Sequence, residues 1–165
     1  MMLGLETERL IFRQWHSSDF EQFHSFHSSE EDARYVGGVK SAEESWRLMA
    51  TYIGHFELFG YSYLAVIEKQ TKCLLGTVGL WNSTPWPEPE LGYWLFPECQ
   101  GKGFGIEAGI AIKKLALEKL KLESLVSYID PLNVPSKKLA SRLGAKYEGN
   151  VQLLSFGPHE IFRYW

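Results

Sequence analysis

Apolar positions along the 165-residue chain switch repeatedly between a period of two and a period near 3.6, so strands and helices should alternate. Leu10-Ile11-Phe12-Arg13-Gln14-Trp15 reads as a first strand. Ser18 followed by Glu21 makes a capping-box signature and opens a helix with Phe20, Phe23, His24 and His27 on one face. A second box, Ser41 with Glu44, starts a longer helix whose expected apolar stripe is Trp46, Met49, Ala50 and Ile53. The polar stretch 28–40 between them, with Glu30, Glu31, Asp32 and Gly37-Gly38, reads as a loop.

The second half continues the alternation. Residues 61–68 and 74–82 predict a hairpin. Pro85, Pro87 and Pro89 donate no amide and hold the chain extended, so Glu90-Leu91-Gly92-Tyr93-Trp94-Leu95 begins as a new strand. Pro97 ends it, Gln100-Gly101-Lys102-Gly103-Phe104-Gly105 turns the chain, and a helix is expected over 106–119. A buried-looking strand over 124–130 follows, then a Pro131-Leu132-Asn133 turn and a helix over 134–143 stopped by Gly144. Two strands, 146–156 and 159–165, close a mixed α/β order.

Composition narrows the class. Lys and Arg total 17 against 20 Asp and Glu, a net charge of −3, and no basic run marks a generic nucleic-acid binder. The 15% aromatic share and 45% hydrophobic share supply a sizeable core. Mass scaling predicts roughly 8,000 Å² exposed when folded, enough burial for one domain over 1–165. No apolar run reaches the ~18 residues of a membrane span, and the first residues lack a basic segment followed by an apolar one, so a cytoplasmic chain is expected. Cys73 and Cys99 stand apart without metal or disulfide spacing. His24 and His27, three apart beside Phe20 and Phe23, fit a helix core face with no third ligand nearby, so no metal is assigned.

The glycine turn carries the chemistry. Three glycines in five positions between a strand and a helix let backbone amides converge beside a helix N-terminus, which is an anion site. Lys102 is followed by Gly103 and not by Ser or Thr, so no hydroxyl is placed for the Mg²⁺ of a nucleotide hydrolase. A dinucleotide fingerprint needs a third glycine where this chain has Ile106, and too little chain follows for a second βαβ half. A plain space-saving turn is the remaining alternative.

Gln100-Gly101-Lys102-Gly103-Phe104-Gly105 resembles the Q/R-x-x-G-x-G/A pyrophosphate loop of the GNAT superfamily of acetyl-CoA-dependent N-acetyltransferases. Glu6-Thr7-Glu8-Arg9-Leu10-Ile11-Phe12-Arg13 is similar to the opening strand of its ribosomal-protein N-acetyltransferase branch. Glu90 to Glu98 resembles the fourth strand, and Asn133 with Ser136 through Leu143-Gly144-Ala145 the later helix and turn. The resemblance spans nearly the whole chain and implies a mixed sheet of about six to seven strands flanked by about four helices.

It also implies roles. Gln100, Gly101, Lys102, Gly103, Phe104 and Gly105 would hold the pyrophosphate of acetyl-CoA, and backbone groups of Tyr93, Trp94 and Leu95 its pantetheine arm, with Asn133 and Ser136 beside them. The family often keeps a carboxylate at the start of the fourth strand, here Glu90, and an amine protonated at neutral pH needs such a base. Where many relatives carry a Tyr as general acid the chain has Ala140, which leaves Ser136 as the candidate proton donor; Ile106 replaces a usual Thr. For the amine acceptor, an acidic and aromatic wall of Glu30, Tyr35, Trp81 and Trp86, with Glu31, Asp32 and Glu88 nearby, is expected. A primary amine on a peptide N-terminus or a small molecule is the expected partner of a monomer or homodimer. An acetyl-CoA-binding module without turnover is the alternative, and a dinucleotide oxidoreductase ranks third.

Overall fold

β1 (Leu10–Arg13), β2 (Tyr63–Glu68), β3 (Leu74–Trp81), β4 (Glu90–Leu95), β5 (Val126–Ile129), β6 (Lys146–Gln152) and β7 (Pro158–Arg163) form one sheet in the order β1-β2-β3-β4-β5-β7-β6. The computed structural model describes residues 4–165. Every neighbouring pair is antiparallel except β4 and β5, which run parallel. Among the described residues, five α-helices accompany the sheet: α1 (Phe20–Ser28), α2 (Glu30–Ala33), α3 (Ala42–Phe59), α4 (Phe104–Lys114) and α5 (Val134–Arg142). One more helix is present than the sequence pattern predicts, because α2 forms inside the stretch read as a loop. Ser29 caps it, its hydroxyl accepting from the Asp32 amide, and three acidic residues occupy its first turn.

Other local readings shift. The Ser18–Glu21 box does not form. Asp19 takes that role instead, accepting from the His16 amide at 2.8 Å and from the Arg13 guanidinium at 2.7 and 2.9 Å, so α1 begins at Phe20 after a short 3₁₀ turn. The Ser41–Glu44 box is present in both directions. In α3 the buried side is Ser45, Met49, Tyr52, His55 and Phe56, while Trp46 and Ala50 face outward. The predicted stripe was rotated because small or polar Ser45 and His55 are buried by their partners, His24 at 2.9 Å and the Tyr61 carbonyl at 2.7 Å. The helix expected over 106–119 starts earlier, at Phe104, and ends in a wide π turn over Leu115–Lys119.

The two sides of β4 meet different helices. Trp94 packs against Phe23, Phe26 and His27 of α1, with Phe26 stacked at 4.0 Å. On the opposite side Leu95 approaches Gly105 of α4 and the Tyr93 hydroxyl donates to the Ser136 carbonyl of α5 at 2.8 Å. β4 therefore lies at the centre of the core, with 8,796 Å² left exposed on the chain. Among the described residues no helix is long and apolar enough to cross a membrane.

Candidate active site

β4 and β5 pair at one register position, Glu90 with Val126, and the cavity opens beyond it. In an antiparallel pair backbone groups alternate between neighbours. The Phe96 amide bonds Leu75 on β3, so Trp94 and Gly92 spend their main-chain groups there. The groups of Leu91, Tyr93 and Leu95 face the β5 side. Two of those carbonyls are engaged by side chains: Leu91 accepts from Ser127 Oγ at 2.6 Å and Leu95 from Gln100 Nε2 at 3.0 Å. Tyr93 stands in the open fork with a donor and an acceptor that β5 does not pair. Of the three predicted main-chain contacts, those of Tyr93 and Leu95 point to the fork and that of Trp94 to β3.

The cavity measures about 580 Å³ and is lined by Tyr35, Trp81, Trp86, Glu90, Tyr93, Trp94, Asn133 and Ser136 among others. Eight residues singled out from sequence thus converge on one space. Glu30 does not reach it; it is exposed on α2. The glycine turn 100–105 lies outside the cavity walls as a separate surface at the start of α4.

Glu90 is 7% exposed at the cavity wall. Burial lifts its carboxyl to about 7, partly offset by donors from the Tyr128 amide, the Trp86 indole and the Tyr63 hydroxyl. Those donors lie at 3.4, 2.9 and 3.3 Å. Trp86 is positioned by the Pro-rich segment, which Glu88 fixes to β7: Arg163 donates to both Glu88 oxygens at 2.9 and 2.8 Å and also to Glu148. The Arg163 guanidinium lowers the Glu88 carboxyl below its ordinary value, and Glu88 anchors the segment away from the cavity wall.

Asn133 caps α5, its Oδ1 accepting from the Ser136 amide at 3.3 Å. Ser136 sits on the first turn beside Tyr93. Ala140 is fully buried and packs with Ile129, Ala145 and Phe162, so no hydroxyl occupies that position. At the fork two hydroxyls pair: Ser127, donating to the Leu91 carbonyl, accepts from the Tyr164 hydroxyl at 2.9 Å.

At the glycine turn, Gly101 and Gly103 have φ of +73° and +82°, a region costly for side chains, whereas Gly105 is small because a Cβ would sit 3.2 Å from Leu139. Arg9, immediately before β1, braces this turn. Its guanidinium donates to the Lys102 carbonyl at 3.0 Å and to Glu107 at 2.6 Å, and stacks over the Phe104 ring at 4.5 Å. Gln100 and Lys102 are exposed at its rim. Pattern reading missed Arg9, Glu107, Tyr63, Ser127 and Tyr128, since no local spacing announces a contact between distant segments. Among the described residues, no group of three or more His, Cys, Asp or Glu is placed to hold a metal. Cys73 is exposed and Cys99 buried, both as free thiols.

A family model described as an acetyltransferase (GNAT) domain matches residues 9–146. The uncharacterised N-acetyltransferase p20 of Bacillus licheniformis is 30% identical over 152 residues, spanning 90% of this chain and 85% of its own. An acetyltransferase from Agrobacterium tumefaciens, known from its crystal structure, superposes with a TM-score of 0.91 at 28% identity, covering all of this chain and 95% of its own. The ribosomal-protein-S5-alanine acetyltransferase of Vibrio fischeri shares the fold at a TM-score of 0.74 and 20% identity, over 96% of this chain and 93% of its own. A forked β4–β5 pair, a braced glycine turn and a whole-length match agree: the chain belongs to the GNAT family and is an acetyl-CoA-dependent N-acetyltransferase.

Proposed function

We propose that the protein moves an acetyl group directly from acetyl-CoA to a primary amine, of a peptide N-terminus or a small molecule, with Glu90 as the proton acceptor. The observation that carries this reading is the Glu90 carboxyl: buried on the cavity wall, hydrogen-bonded by three donors and tuned to about 7. A base with a pKa near the working pH combines a useful ionised fraction with enough basicity to take a proton. Asp130, the other carboxylate on the cavity wall, accepts from the Leu132 amide and is half-buried.

The chain's features fit the donor substrate. Two unpaired main-chain groups of Tyr93 and the amide of Leu95 offer the amide-bearing pantetheine arm a strand-like partner, and the Asn133 side chain lies beside them. The amides of residues 101–105, the N-terminal end of α4, Gln100 and the Lys102 ammonium offer the pyrophosphate donors and positive charge. Bound there, acetyl-CoA supplies the activated acetyl thioester. Glu90 takes the ammonium proton of the acceptor, which frees the nitrogen lone pair. That nitrogen attacks the thioester carbonyl carbon, the C–S bond breaks, and the second nitrogen proton passes through the Ser136 hydroxyl to the departing sulfur, a task for which Ala140 has no group.

The test is Glu90→Gln, which keeps size and, with its carbonyl toward Trp86 and Tyr63, the bonds from those two donors, but not basicity. Turnover should fall by about 10²-fold or more while acetyl-CoA affinity measured by calorimetry changes little. The wild-type rate should rise with pH through about 7 as Glu90 ionises, and the variant should lose that limb. Full turnover by the variant across pH 6 to 9, a window set around the pKa values of amine and base, would remove Glu90 from the mechanism.

A further inference from the structure

The wall around Glu90 keeps the aromatic half of the surface expected for the acceptor and lacks its acidic half, since Tyr35, Trp81 and Trp86 line it and Glu30 does not. Trp86, whose indole holds Glu90, meets Phe156 edge-on at 5.6 Å and Tyr128 at 6.2 Å. Phe156 and Leu154 line the cavity yet remain 52% and 45% exposed, on a short 3₁₀ turn between β6 and β7. Leu154 holds φ of +46°, a conformation disfavoured for a branched side chain. Across the opening, Tyr35 lines the same wall, and a Cβ at Gly37 would stand 3.6 Å from the Phe156 ring. An apolar rim left uncovered at a cavity mouth marks the place where a ligand completes the burial.

Charge on the wall points the same way. Its carboxylates are Glu90 and Asp130, and its cations are Arg34 and Lys40. Lys40 donates to the Gly37 and Gly38 carbonyls, and Asp130 accepts from the Leu132 amide. An acceptor with several ammonium groups would find two carboxylates, Glu90 and Asp130, balanced by Arg34 and Lys40, so the wall has no acidic excess to draw it.

We infer that the acceptor amine is carried on an apolar group of aromatic size, which packs in the cavity against Trp86, Phe156 and Tyr35 while its nitrogen meets Glu90. This rests on the reading of Glu90 as the base. The same chemistry is present in an arylalkylamine and in a peptide that begins with a bulky aromatic residue, and the two are separated below.

The experiment uses the whole protein and acetyl-CoA, with thiol release measured for phenethylamine, ethylamine, spermidine, and peptides beginning with Phe or Ala. Phenethylamine should exceed ethylamine and spermidine in kcat/KM by tenfold or more, the gain expected from burying a ring. The Phe-initiated peptide should exceed the Ala-initiated one by a similar factor. Whichever of phenethylamine and the Phe peptide is better assigns the source of the ring, and either ranking supports the inference. Phe156→Ala should narrow the phenethylamine-to-ethylamine ratio by several fold, with acetyl-CoA affinity by calorimetry as the check on folding. Binding is read separately on Glu90→Gln with CoA present, by quenching of tryptophan fluorescence. Tighter binding of phenethylamine than ethylamine there, with no turnover of any amine by the wild type, supports the aromatic site and overturns the transfer reading. Preference for spermidine, or equal kcat/KM for phenethylamine and ethylamine, overturns the aromatic site and leaves the base in place.

Discussion

The Tyr63 hydroxyl reaches Glu90 Oε2 at 3.3 Å across two glycines. Tyr63 on β2 is in register with Gly79 on β3, and Gly79 with Gly92 on β4, so one row across three strands carries a single side chain. A Cβ at Gly92 would lie 2.5 Å from the Tyr63 hydroxyl and 2.6 Å from its ring. The empty row is what lets the phenol lie over the sheet and touch the carboxylate at the start of β4.

Removing that contact should raise the pKa of Glu90, because a donor to the ionised carboxylate favours its charged form. Tyr63→Phe is expected to move the acid limb of the pH–rate profile above about 7 and to lower kcat/KM at neutral pH by a few fold. Gly92→Ala should do the same more strongly and cost about 1–3 kcal/mol in stability through overpacking. Stopped-flow thiol assays between pH 6 and 9, spanning the base's titration, check both; an unchanged limb would show that Tyr63 does not tune the base.

Glu90 should also make stability depend on pH. Its folded pKa of about 7 stands above its ordinary value of 4.5, so the native state binds the proton more tightly than the unfolded chain. Its contribution is therefore full below 4.5 and is lost as pH rises through about 7. Relative to Glu90→Gln, the wild type should lose about 3 kcal/mol across that window, an order-of-magnitude figure from the size of the shift. Urea unfolding of both proteins at the two ends of the range measures it. A constant difference would contradict the burial argument.

The Arg163–Glu88 pair should matter to catalysis although neither residue meets substrate. Arg163→Met releases the Pro-rich segment that presents Trp86, so acceptor KM should rise several fold with acetyl-CoA affinity nearly unchanged. Loss of these charge-assisted, partly buried bonds should cost about 2 kcal/mol. Steady-state kinetics at varied acceptor, alongside a melting curve, separates loosened Trp86 from general unfolding, since the latter would weaken acetyl-CoA binding too.

At the glycine turn the strain and the space effects are separable. No atom lies within 4 Å of a Cβ built at Gly101, so Gly101→Ala meets only the penalty of φ at +73°, roughly 1–2 kcal/mol. Gly103→Ala adds crowding against Arg9 Nη2 at 3.3 Å. Acetyl-CoA affinity by calorimetry should fall about tenfold for the first and further for the second. Arg9→Met should weaken affinity several fold without either strain, because the turn loses its brace to Glu107 and the Lys102 carbonyl.

Several of these residues were legible in the chain itself. The alternation of strand side chains put Glu90, Gly92 and Trp94 on one face, and the bounds of β4 follow from the prolines on either side. The glycine spacing marked a turn with positive φ at Gly101 and Gly103, because positive φ is a local property that a local residue choice records. Less visible was α2, where a Ser cap and an acidic first turn overrode the polar look of the stretch. Glu88 was misread because its partner lies 75 residues away, and so were the acidic residues on α2, whose placement depends on how that helix packs.

Sequence alone thus determined most of the elements, the glycine turn, the family resemblance and the candidate base, since each is written in neighbouring residues. Tertiary structure decided what surrounds that base. Tyr63, Tyr128 and Arg9 act over separations of 27, 38 and 98 residues, which only sheet register and helix packing bring together. The same packing withdrew Trp94's backbone to β3, left Tyr93 facing the fork, and kept the expected aromatic side chains on the wall while Glu30, Glu31, Asp32 and Glu88 stayed off it. Burial supplied the remaining property: a carboxyl shifted to about 7 is a consequence of the space around Glu90 and not of its neighbours in the chain.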